Sequence, residues 1–222
     1  MHIAVILSGN GYLDGSETQE AVLSLLAIEK LGYTWDAFAP DKQQLDVIDH
    51  IQQEPVLNQE RNCLHEAGRI TRGAVAPLID CDPYHYDAIW LPGGFGAAKN
   101  LSTFALTGTG ADLDPEVARV LTIAHTEEKP IVALCMAPAV VALVLAKADV
   151  HGAQLTIGND PSTAAALRDL GVQHVSVDWN DCVVDEQHRL ISCPCYMFDA
   201  RISEVAAGID QAAQALRHML QG

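Results

Sequence analysis

Positive charge is scarce in this chain: Lys and Arg number 13 against 29 Asp and Glu, for a formal net charge of −16. A surface this acidic repels phosphate backbones and anionic lipid, so no nucleic-acid or membrane partner is expected. No apolar run has the length of a membrane span, and the opening residues His2 to Leu7 lack the basic region of a signal peptide. That leaves the cytosol or an organelle matrix, and a cytoplasmic location is the expectation. A disulfide framework is missing too. Cys63, Cys81, Cys135, Cys182, Cys193 and Cys195 are spread over 222 residues, which does not resemble a small secreted scaffold, and they read as reduced thiols. Repeats, low-complexity tracts and linkers are absent. With 49% hydrophobic residues the chain can bury one sizeable core, so a single domain over 1–222 is expected.

The signals for nucleotides and metals also fall short. Gly9, Gly11 and Gly15 miss the G-x-G-x-x-G spacing by one, which leaves Asp41 without a claim to a ribose. Gly96-Ala97-Ala98-Lys99 lacks the glycine-lysine-serine/threonine ending of a phosphate loop. Cys193-Pro194-Cys195 is a lone C-x-C, too little for a zinc site, and no metal is expected. Both thiols are taken as lying near the site, with Tyr196 at its rim. Arg61, Arg69 and Arg72 hold much of the scarce positive charge and are expected to be solvated or ion-paired, although a substrate carboxylate could use one.

What the chain does have is alternation of strand and helix. Strands are expected over His2–Leu7, Thr34–Ala39, Asp87–Leu91 and Ile131–Leu134, with helices between them, the pattern of a parallel sheet covered on both faces. Ser16 to Gln19 fits a capping box opening a helix that closes near Leu31 and Gly32. A short helix is expected over Leu45–Ile51 and a longer one over Asn58–Arg72. Asp114-Pro115 starts another, and Pro161–Leu170 and Ile202–Leu220 are the last two. His174–Val177, Cys182–Asp185 and Leu190–Ser192 read as strands, the last two forming a hairpin.

Candidate chemistry gathers at the strand ends. Ile131 to Leu134 run straight into Cys135, and Pro138 suits the first turn of the helix behind it. A thiol at such a corner faces the helix's positive end, which favours the thiolate, although many buried cysteines are inert. Counting on from Glu20 reaches Leu23, Ala27 and Leu31, so this carboxylate lies on an inward, apolar stripe and is expected to have a raised pKa. Glu17 reads as a surface acid. Gly93 and Gly94 at the end of the Trp90 strand let backbone N–H groups approach a ligand, as half of an oxyanion hole.

These residues carry a family resemblance. Pro92-Gly93-Gly94-Phe95-Gly96-Ala97-Ala98-Lys99-Asn100-Leu101-Ser102, then Cys135-Met136-Ala137-Pro138, with Asp14-Gly15-Ser16-Glu17 and Glu20 upstream, resemble the ThiJ/PfpI superfamily of glutamine-amidotransferase-like proteins. More closely the chain resembles the ElbB family, described as an isoprenoid-biosynthesis glyoxalase; Ala39 to Gln44, Arg69 to Gly73 and Leu155 to Gly158 extend the match. The resemblance implies an α/β, flavodoxin-like three-layer sandwich with a mostly parallel central sheet and a C-terminal β-hairpin, and a homodimer. It implies Cys135 as nucleophile, Glu20 beside its sulfur, and Gly94 and Met136 lending oxyanion N–H groups, with Gly93 and Asn100 at the substrate site. The implied activity is a cofactor-independent glyoxalase converting glyoxal to glycolate, with a small aldehyde as its partner. The family's histidine is missing, because Leu155-Thr156-Ile157-Gly158-Asn159-Asp160 stands where many members carry one. His151 is a loop residue at a helix end. Feeble turnover is therefore expected. The rival reading is a noncatalytic redox sensor, or a stress or isoprenoid-pathway partner, that uses the same cysteine.

Overall fold

The computed structural model describes residues 1–222. Its centre is a seven-stranded sheet built from β1 (His2–Ile6), β2 (Thr34–Ala39), β5 (Ala76–Pro77), β6 (Ala88–Leu91), β7 (Ile131–Leu134), β10 (Val183–Asp185) and β11 (Leu190–Cys193). Two small pairs stand apart: β3 (Ile48–Asp49) with β4 (Glu54–Pro55), and β8 (Gln154–Leu155) with β9 (Gln173–His174). The helices are α1 (Thr18–Lys30), α2 (Cys63–Ile70), α3 (Gly96–Lys99), α4 (Phe104–Thr107), α5 (Pro115–Thr126), α6 (Ala137–Lys147), α7 (Pro161–Asp169) and α8 (Ile202–Gln221). This is the flavodoxin-like sandwich expected from the sequence, with a C-terminal hairpin of β10 and β11.

The strand order β10-β11-β7-β6-β1-β2-β5 locates the functional end. From β1 the chain crosses to β2 in one direction, and from β6 it crosses to β7 in the other. Right-handed crossovers therefore put α1 and α5 on opposite faces. The reversal falls between β1 and β6, and ligands in open α/β sheets bind at the carboxyl ends flanking such a switch. The segments leaving those ends are Leu7–Glu17, Pro92–Gly96 and Cys135–Met136. β1, β6 and β7 are buried almost throughout, which is why they read as unbroken apolar runs. Helix α6 is buried on every side until its last turn, so it shows no polar stripe.

Three expectations fail locally. Leu45–Ile51 is not a helix. Its amides are captured from outside, Leu45 N by Asn100 Oδ1 at 2.9 Å and Ile48 N by Asp14 Oδ2 at 2.8 Å, and the chain pairs into the β3–β4 hairpin instead. The helix expected from Asn58 begins only at Cys63, because Asn58 takes φ +62° and Asn62 caps, its side chain accepting from His65 N. The cap of α1 is Glu17 rather than Ser16. Ser16 Oγ is buried and accepts from Ser8 N at 2.8 Å, so Glu17 takes the helix's first amides. The arginines behave as expected: Glu66 binds Arg69 at 3.0 Å and Arg61 at 3.5 Å.

Asn100 ties the loops of the functional end together. Its buried amide donates to Ser8 O at 2.9 Å and Asp14 O at 2.8 Å while accepting from Leu45 N. Replacing it with alanine strands two buried carbonyls and one amide. Asn100→Ala should lower folding free energy by roughly 3 kcal/mol, read as a lower urea midpoint with an unchanged m-value. An unchanged midpoint would show that the loops hold their places without it.

Candidate active site

The chain turns sharply between β7 and α6, and Cys135 occupies the turn with φ +54°. Such a φ is uncommon outside glycine and marks a position held by its surroundings. Cys135 N donates to Cys193 O at 2.8 Å, which continues the β7–β11 ladder one residue past the strands. The Gly94 and Met136 N–H groups both face the sulfur. The residues expected to supply an oxyanion hole are thus brought around the nucleophile.

Glu20 sits in the first turn of α1, fully buried. Its Oε2 accepts from Gly93 N at 3.0 Å and its Oε1 from Tyr196 N at 3.1 Å, so segments following β6 and β11 hold one carboxyl. Its carboxyl also lies against the Cys135 thiol, and each group shifts the other's titration. Gly93 has no room for a side chain, because a Cβ there would run into Cys135 Cβ, Glu20 Oε2 and Leu134 O. A Cβ on Gly94 would meet the backbone of Gly15, Ser16 and Glu17, and its φ of +100° favours glycine as well. Gly93 is therefore a holder of the carboxyl, and Gly94 the donor toward the sulfur.

The protonation of this pair corrects one expectation. Burial, together with the charge of Glu17, pushes Glu20 up to about 8, against the pull of its two amide donors. The Cys135 thiol is raised as well, by burial first and then by Glu20, whereas a lowered value was expected from the helix end. α6 does point its first turn at the sulfur, but removal from water outweighs that dipole and the two N–H groups. The carboxyl therefore carries a proton near neutral pH.

The sulfur opens into a cleft of about 60 Å³ lined by Tyr12, Glu17, Gly94, Phe95, Cys135, Met136, Tyr196 and Met197. That is about two water volumes. An outer vestibule of about 320 Å³ lies between Tyr12, Glu17, Gln19 and Tyr196. A larger cavity of about 630 Å³ lies against the β2–β5 edge, lined by Trp35, Phe38 and Tyr86 among others, with no nucleophile. Volume and candidate chemistry therefore part company here, the thiol and the carboxyls gathering at the small cleft.

Of the expected residues, Cys135, Glu20, Gly93, Gly94 and Met136 come together. Asn100 does not line the cleft; its hydrogen bonds all go to backbone. Cys195 is buried behind the site with its sulfur 3.6 Å from that of Cys193. His151 is exposed and pairs with Asp149 at 3.1 Å, and no histidine lines the cleft. Sequence reasoning missed Tyr12, Phe95 and Met197, and assigned Glu17 to the surface. Glu17 is half-buried, faces the cleft, and has a raised pKa from burial. Its position one turn before Glu20 was the available clue.

No family model matches the chain. It is 37% identical over 216 residues to the ES1 protein homolog, mitochondrial, of Rattus norvegicus, which covers 93% of this chain and 79% of that protein. It is 36% identical, with the same coverage, to the human glutamine amidotransferase-like class 1 domain-containing protein 3, mitochondrial. The mitochondrial ES1 protein of Danio rerio is 32% identical over 209 residues, covering 89% and 77%. Among solved structures, an isoprenoid biosynthesis protein with an amidotransferase-like domain from Ehrlichia chaffeensis superposes with a TM-score of 0.92 at 34% identity, covering 99% of each chain. Drosophila melanogaster DJ-1beta, with a TM-score of 0.55 at 19% identity over 99% and 93%, shares the fold. The expected cytoplasmic location is not upheld, because all three of these relatives are named as mitochondrial proteins. Reduced thiols and an acidic surface suit either compartment, so composition could not separate them.

A neutral buried Glu20 makes stability depend on pH. Between about 4.5 and about 8 the folded chain binds a proton at Glu20 that the unfolded chain has released. Stability should fall as pH rises through this window, Glu20 contributing a slope of up to about 1.4 kcal/mol per pH unit. Glu20→Gln offers one oxygen to two amide donors and should be less stable at low pH, yet its urea midpoint should vary less across the window. Parallel midpoint-against-pH curves for the two proteins would mean that Glu20 is ionised in the fold.

Proposed function

Since the chain belongs to the family of ES1 and glutamine amidotransferase-like class 1 domain proteins, we propose that it is a cofactor-independent glyoxalase of low turnover, closest in kind to the ElbB proteins. The observation that carries this reading is the buried Glu20 carboxyl, poised near neutrality against the sulfur of Cys135.

The proposed sequence uses groups already in place. Cys135 sulfur adds to one aldehyde carbon of glyoxal, and the thiol proton passes to the new alkoxide, giving a hemithioacetal. Gly94 and Met136 N–H stabilise that oxygen as charge develops on it. Ionised Glu20 removes the hydrogen on the sulfur-bearing carbon, leaving an enediolate; the hydroxyl proton shifts from one oxygen to the other, and Glu20 returns its proton to the neighbouring carbon. One carbon is oxidised and the other reduced, so no external redox partner enters. The product on sulfur is a thioester of glycolic acid. Water hydrolyses it, releasing glycolate and restoring the thiol.

Low turnover follows from the same geometry. Both nearby carboxyls are raised by burial, and the useful form of Glu20, the one against the sulfur, is a minor one at neutral pH. Redox sensing by Cys135 has less support, since oxidation follows exposed thiolate and this thiol is buried and raised.

The test is glyoxal turnover. Cys135→Ser should abolish glycolate formation with its circular dichroism unchanged. In the unaltered protein the rate should climb with pH along a limb near 8, and Glu20→Gln should lose about 10²-fold or more together with that limb. Glycolate formed at the normal rate by folded Cys135→Ser would end this proposal.

A further inference from the structure

We propose that the vestibule of this site recognises a cationic nitrogen, so that the preferred substrate is a carbonyl compound with an ammonium or alkylammonium arm. The inference rests on the reading of Cys135 as the carbonyl-directed nucleophile and extends it to the group that lies outside the reacting carbons.

The lining carries the argument. Nine residues line the cleft and its vestibule, and Glu17 is the only carboxylate among them; no Lys, Arg or His lines either space. Three aromatic side chains, Tyr12, Phe95 and Tyr196, share the inner lining with Glu17, in a protein with only 5% aromatic residues. Tyr12 and Phe95 are exposed rather than packed into the core. Aromatic faces around a carboxylate suit a cation, which meets ring quadrupoles and a formal charge at once.

Nearby cations are already engaged. Lys99, the closest along the chain to Phe95, donates to Leu13 O at 2.8 Å and pairs with Asp46 at 3.0 Å. Glu17 accepts from Glu20 N at 2.6 Å and has no salt-bridge partner. Its carboxyl is raised by burial, as expected of an acid lacking a counter-charge. Tyr196 is braced by its hydroxyl donating to Gln19 Oε1, and Tyr12 rests edge-on against His50 with centroids 5.2 Å apart. The rings are thus held around a carboxylate that a cationic ligand would complete. An anionic arm would meet Glu17 with no cation to offset it, so carboxylate-bearing aldehydes are disfavoured.

Matched thiol reagents test this without depending on turnover. Methanethiosulfonates bearing a 2-trimethylammonioethyl or a 2-sulfonatoethyl arm transfer that arm to Cys135 sulfur and release methanesulfinate. They differ chiefly in the charge of the arm. Rates at Cys135 are followed by peptide mass mapping and normalised to 2-mercaptoethanol. Cys182 on the same chain is the reference, carrying the overall net charge and the neighbouring Asp181 carboxylate.

The cation-to-anion rate ratio at Cys135 should exceed that at Cys182 by about tenfold, the sum of a weak ion pair and cation–π contacts. Glu17→Gln, which keeps an oxygen to cap α1, should remove most of the excess; Tyr12→Leu should remove part of it. A ratio equal to that at Cys182, or one untouched by both substitutions, overturns the proposal. Failure of glyoxal turnover with the ratio intact would instead remove the glyoxalase reading and leave the cation preference standing.

Discussion

One carboxyl organises the functional end of this molecule. Glu20 accepts from the backbone of Gly93 and Tyr196 and lies against Cys135, so segments following β6, β7 and β11 converge on a single side chain of α1. Desolvation of that carboxyl explains the rest of the site. It favours a retained proton, and burial raises the nearby sulfur as well. Loops around it need their own support, which comes from backbone contacts such as Glu17 N to Gly93 O at 2.9 Å and Gly96 N to Gly15 O at 2.9 Å.

Much of the fold was legible because its signals are local or periodic. The buried strands are continuous apolar runs, Thr34–Ala39 has the expected bounds, and Asp114 and Asp160 with the prolines after them start helices where such pairs should. Two of the errors share a cause. Leu45–Ile51 was misread because its amides are claimed by Asn100 and Asp14, distant in sequence, and Ser16 lost its capping role to a bond with Ser8. No window of neighbouring residues carries that information.

The site divides in the same way. Cys135 and Glu20 stood out by position, a thiol at a strand end and an acid on an apolar stripe. Their protonation did not, because the helix-end argument sees one favourable field and burial depends on everything packed around it. The lining of the cleft was hidden for a related reason. Tyr12, Phe95, Tyr196 and Met197 come from three separate loops and have no shared pattern along the chain. Asn100 looked like a binding residue beside the glycines, yet it spends its amide on three backbone partners.

The division between backbone and side chain at this site has a consequence for divergence. Apart from Cys135 and Glu20, the reacting centre consists of main-chain N–H groups, which substitution of neighbouring side chains leaves in place as long as the two glycines remain. On the proposed reading selectivity falls instead to the side chains of the rim, none of which holds the carboxyl through side-chain atoms. Relatives can therefore inherit the chemistry through the shape of the chain while exchanging Tyr12, Glu17, Phe95 or Met197, so ancestry and substrate need not travel together.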